Sequence, residues 1–207
     1  MEENMVKESP AVDNGTETGT DTGTVVSVVI LAYEGTEELM QKIWDKMLPG
    51  VVKKVMPTTP ETSLIQVLPR LLADNEVADK FILVPAGCIP CAPVSFEELC
   101  APLVYVDGQG RRHYDRLPSA FDKHELVTRF LDDNYDPENE LESILKPKLG
   151  RAIEGSYKEG NLLTPVLRGN PCEHIVMEAL VRKKYLICSA AGLTAVTQLL
   201  QKTLLAE

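Results

Sequence analysis

The chain is short of positive charge: 21 Lys and Arg stand against 31 Asp and Glu, a formal net charge of −10. That is the wrong sign for a surface that neutralises many phosphates over a large area, so nucleic acid and anionic membrane are poor first candidates for partners. No run approaches the roughly 20 apolar residues of a membrane span, and the first dozen residues carry acids where a secretory signal would be basic and then apolar. The expectation is a cytoplasmic protein, or one built into a particle. Five cysteines in 207 residues are too few and of the wrong parity for a disulfide scaffold, so free thiols are expected. There is no G-x-G-x-x-G, no P-loop and no G-x-S-x-G elbow, which removes the usual nucleotide folds and the α/β-hydrolase nucleophile. Repeats beyond simple βα alternation are also lacking.

What is present falls into a tail and one domain. Residues 1–24 have almost no large apolar side chains and end in Gly15-Thr16-Glu17-Thr18-Gly19-Thr20-Asp21-Thr22-Gly23-Thr24. Such a composition cannot offset the cost of ordering its backbone, so a flexible tail is expected, available to dock on a protein partner. Residues 25–207 then read as a single domain. Val25 to Ala32 is apolar without alternation, as in a strand covered on both faces. Thr36 precedes Glu37, Glu38 and an apolar stripe ending at Pro49-Gly50, which predicts a capped helix. Val51 to Met56 predicts a second strand; Thr59 and Pro60 open a second helix through Leu72, with Pro69 expected to kink it; Lys80 to Val84 predicts a third strand. Strand, helix, strand, helix, strand closes into a parallel sheet of Rossmann-like type.

The second half is less regular. Ser95 and Glu98 spell a capping box, and Leu103 to Asp107 and Arg111 to Tyr114 flank the turn Asp107-Gly108-Gln109-Gly110, predicting a hairpin added to the sheet. Asp122 caps a helix to Phe130, and Asp136 before Pro137 caps another through Leu145. Residues 146–169 predict loop, Asn170-Pro171 a helix through Leu180, Tyr185 to Ser189 a strand, and Leu193 to Leu205 a final helix.

Three segments carry a resemblance. Val77-Ala78-Asp79-Lys80-Phe81-Ile82-Leu83-Val84-Pro85-Ala86-Gly87-Cys88-Ile89-Pro90-Cys91-Ala92-Pro93-Val94 is similar to a segment of bacterial sugar transferases with the GT-A fold. Ile30 to Glu37 resembles the first strand and turn of that fold. Leu117-Pro118-Ser119-Ala120-Phe121-Asp122-Lys123 resembles the proline-aromatic step of stealth-type capsular-polysaccharide phosphotransferases. The resemblance implies an α/β, Rossmann-like GT-A-type three-layer sandwich with a mostly parallel central sheet and an added hairpin. It also implies a nucleotide-sugar site near Tyr33 and Glu34. Where those enzymes place metal-holding acids at the end of the third strand, this chain has Pro85-Ala86-Gly87. Mg²⁺ or Mn²⁺ needs hard oxygen ligands there, so the expectation is no metal and no cofactor. The leading reading is therefore a degenerate, non-catalytic domain serving as a binding or structural assembly module, for instance in a virion. The alternative is an active transferase in surface polysaccharide synthesis. It would hold a diphosphate through Arg111 or Arg112, or recruit Asp107 or Asp115 to bind Mn²⁺ or Mg²⁺.

Other constellations compete with plainer roles. Cys88-Ile89-Pro90-Cys91 has dithiol spacing, but the next helix starts only beyond it, and a low-pKa thiolate relies on a helix N-terminus. Cys88, Cys91, Cys100 and His113 could be recruited to zinc, without ribbon-like spacing. Cys172 and His174, His124, and the acids Asp132, Asp133 and Asp136 are each explained by a helix turn or a solvated loop.

Overall fold

A computed structural model of the chain describes residues 25–62, 64–100, 105–106, 112–113, 116–130, 176–177 and 185–206. Its central sheet has four strands, in the spatial order β2 (Lys53–Thr58), β1 (Val26–Tyr33), β3 (Val77–Val84) and β7 (Ser119–Asp122). β1 lies between β2 and β3, parallel to both, with Ile30 opposite Val55 on one side and Val84 on the other. Its continuous apolar run is buried almost throughout, as expected of a strand covered on both faces.

The first crossover is α1 (Glu37–Met47), whose Leu39, Met40, Ile43, Trp44 and Met47 form the buried stripe. The second is α2 (Leu64–Leu72), with Val67, Leu68 and Leu71 buried and Pro69 exposed. α2 begins later than Thr59-Pro60 predicts. Thr59 to Thr62 close a turn instead, the Thr62 N–H donating to the Thr59 carbonyl at 3.1 Å and the two hydroxyls meeting at 2.9 Å. Thr36 stands at the N-cap of α1, yet its hydroxyl donates back to the Tyr33 carbonyl at 2.7 Å and caps nothing.

The expected addition to the sheet is corrected. β5 (Tyr105–Val106) and β6 (Arg112–His113) do pair as a hairpin, but with each other in a separate two-stranded sheet. The strand that extends the central sheet is β7 (Ser119–Asp122), antiparallel to β3. Phe121 lies opposite Phe81, and the two rings stack with centroids 5.8 Å apart, a cross-strand aromatic pair that fastens β7. Asp122 then caps α4 (Lys123–Phe130), its Oδ1 accepting from the N–H groups of His124 at 2.9 Å and Glu125 at 3.3 Å.

Helices cover both faces. α2 and α4 pack on one, around Val29, Leu31, Phe81, Leu83 and Phe121. The other carries α1 and α5 (Ala190–Leu204), over Val28, Ile30, Ile82 and Val84. α5 is capped by Ser189, whose Oγ accepts from the Gly192 N–H at 3.1 Å. On this face too lie α3 (Phe96–Cys100), closed by reciprocal Ser95 and Glu98 capping bonds, and a second small sheet of β4 (Cys88–Pro90) with β8 (Tyr185–Ile187). Val176 is helical and buried in the same core. The tail, the predicted helix from Asp136, and the loop 146–169 lie outside the described residues, as do Cys172, His174, Asp132, Asp133 and Asp136. No described helix is long and apolar enough to cross a membrane.

Candidate functional site

In a sheet ordered β2-β1-β3 the connection from β1 leaves to one side and that from β2 crosses to the other, so a crevice is expected beyond the carboxyl ends of β1 and β3. Tyr33 ends β1 there, and Glu34 follows it, exposed, with its N–H on the Thr58 carbonyl at 3.2 Å. A tight turn shapes this edge: Gly35 takes φ 81°, and the Tyr33 carbonyl accepts from the Thr36 N–H at 2.9 Å. Both nucleotide-binding candidates of the first strand thus stand at the switch point.

From the other side, β3 ends at Val84 and the chain turns through Pro85-Ala86-Gly87, with the Cys88 N–H on the Pro85 carbonyl at 3.2 Å. Gly87 has φ 76° and its carbonyl accepts from the Cys188 N–H at 2.9 Å, continuing the β4–β8 ladder by one residue. A Cβ placed on Gly87 would lie 2.0 Å from the Cys188 carbonyl oxygen and 3.1 Å from Cε2 of Tyr33. Only glycine permits both that backbone conformation and that approach. Next to the strand end, the Gly87 backbone therefore packs directly on the Cys188 backbone and the Tyr33 ring, and the run Cys88 to Cys91 that follows is buried.

The electrostatics follow from that packing. Burial raises the Tyr33 phenol above its ordinary value, the Arg116 guanidinium opposes this, and Cys188 adds a smaller upward push. Arg116 is exposed and its charge acts on Tyr33, whereas the sequence reading offered Arg111 or Arg112 as the grip on a diphosphate. Nothing in the spacing sets Arg116 apart from those two; the strand β7 that begins three residues later is what brings it to the sheet. Arg112 belongs to β6, whose ladder partner is β5 and not the central sheet. Arg111, Asp107 and Asp115 lie outside the described residues.

The thiols are the reverse of a redox centre. Burial pushes Cys88 well above its ordinary range and Cys91 and Cys188 up to about 12, whereas a reactive dithiol needs a stabilised thiolate. The zinc constellation is also split. Cys88 and Cys91 are buried, Cys100 is exposed on α3, and among the described residues no group of three or more His, Cys, Asp or Glu is disposed to hold a metal ion.

Two cavities are lined by the described residues. One of about 160 Å³ sits between the start of α1 and α5, walled by Gly35, Thr36, Lys42, Thr197 and Gln201. A larger one, about 550 Å³, opens near the amino end of β1 beside β7, against Ser27, Lys80, Ile82, Phe96 and Ala120. Comparison of the chain with protein-family models, with curated proteins and with solved structures finds no match.

Proposed function

We propose that this chain is a degenerate GT-A-type glycosyltransferase-like domain that no longer transfers sugar and acts as a binding or structural assembly module, in the cytoplasm or within a virion or similar particle. One observation supports the reading: beside the end of the third strand the Gly87 backbone packs so closely on the Cys188 carbonyl and the Tyr33 ring that not even a Cβ fits there. The turn leaving that strand, Pro85-Ala86-Gly87, also supplies no carboxylate to hold a divalent ion. A mixed sheet with one antiparallel strand beside β3 is compatible with the fold that the sequence resembles. The acidic segment 1–24 is the part offered to a protein partner.

A second reading, a working nucleotide-sugar transferase, draws on Arg116. An exposed guanidinium whose charge acts on Tyr33 has the chemistry to grip a diphosphate. Thermal unfolding against nucleotide sugars and nucleoside diphosphates, each with and without Mn²⁺, separates the two, because a ligand at 100 times its Kd stabilises the native state by about 2.7 kcal/mol. The module reading expects no shift at millimolar ligand. A shift that requires Mn²⁺ overturns it and points to an acid such as Asp107 or Asp115. A metal-independent shift abolished by Arg116→Gln also overturns it, in favour of an arginine site.

A further inference from the structure

We draw no further inference here: the strongest candidate, the cavity of about 550 Å³ beside β7 between Ile82, Phe96 and Ala120, has a rim of both signs, Lys80 against Asp122 and Glu125, that selects no ligand, and nothing in the structure shows what covers it.

Discussion

Replacing Gly87 by alanine tests the packing on which the functional reading rests. Gly35, Gly50 and Gly87 all have positive φ, between 75° and 81°, so alanine meets the same backbone penalty at each, about 1–2 kcal/mol. The gain from a stiffer unfolded chain, about 0.4–1 kcal/mol, is also common to the three and cancels on comparison. The surroundings differ. A Cβ at Gly35 or Gly50 meets nothing within 4 Å, whereas at Gly87 it would fall 2.0 Å from the Cys188 carbonyl oxygen. That neighbour is backbone, held by its own ladder bond to Gly87, so it can withdraw only by parting β8 from β4. Overpacking of this kind costs about 1–3 kcal/mol more. Gly87→Ala should therefore lose about 1–5 kcal/mol in total, about 1–3 kcal/mol more than Gly35→Ala or Gly50→Ala. Urea unfolding followed by tryptophan fluorescence reads this directly, because the single Trp, Trp44, is fully buried in the same core as Cys188. At a slope of about 2 kcal/mol per molar, the Gly87 variant's midpoint falls about 0.5–1.5 M below that of the Gly35 variant. Equal losses at Gly87 and Gly35 would refute the close approach and leave the crevice open.

The thiols give two further tests, with Cys172 changed to serine so that it does not report. In the native state a disulfide reagent should titrate one thiol, exposed Cys100, and reach Cys88, Cys91 and Cys188 only on unfolding; fast labelling of two or more would contradict the burial. Stability should also fall in alkali. Cys91 and Cys188 ionise at about 12 when folded, so the folded state keeps protons that unfolded thiols release above about pH 8.5. Their contribution is whole below that pH and declines above it, by about 2 kcal/mol per thiol at pH 10. Cys91→Ala or Cys188→Ala should flatten the decline, and an unchanged slope in both refutes the assignment. Trp44 has an indole N–H buried without a hydrogen-bond partner among the described residues, a burden of about 1–3 kcal/mol. Trp44→Phe removes that donor together with some packing, and circular dichroism during denaturation should place it within about 1 kcal/mol of the parent, against the 3–5 typical of truncating a buried aromatic to alanine.

The elements legible in the sequence are those whose pattern is local. β1, α1 and β3 announce themselves by an unbroken apolar run or a helical stripe, and the Ser95–Glu98 box and the Asp122 cap are spelled out within four residues. β4 and β7 were hidden for the opposite reason. Cys88-Ile89-Pro90 reads as part of a dithiol motif, and Ser119-Ala120-Phe121-Asp122 offers one large apolar side chain; each is a strand because of a distant partner, Tyr185 to Ile187 for one and Lys80 to Leu83 for the other. The site divides in the same way. Tyr33 and Glu34 follow from the βα turn, but no local pattern shows that Cys188, from the far end of the chain, closes over Gly87.

That closure ties stability to function. Cys88 and Ile89 of β4, and Leu186 and Ile187 of β8, are buried in the core that also holds α1 and α5. Moving β8 aside to clear the crevice would expose at least Leu186 and Ile187, at about 1.5–3 kcal/mol each, besides breaking the ladder bonds to β4. A ligand of millimolar affinity supplies only about 4 kcal/mol in total, so it cannot open this space and still bind with measurable strength. In the second reading, a small anion at the carboxyl ends of β1 and β3 therefore binds without entering the Gly87–Cys188 contact, and exposed Arg116, whose charge acts on Tyr33, is its candidate partner. In the second reading, then, Arg116→Gln should abolish binding with the melting temperature of the free protein unchanged, since Arg116 is exposed and outside both cores.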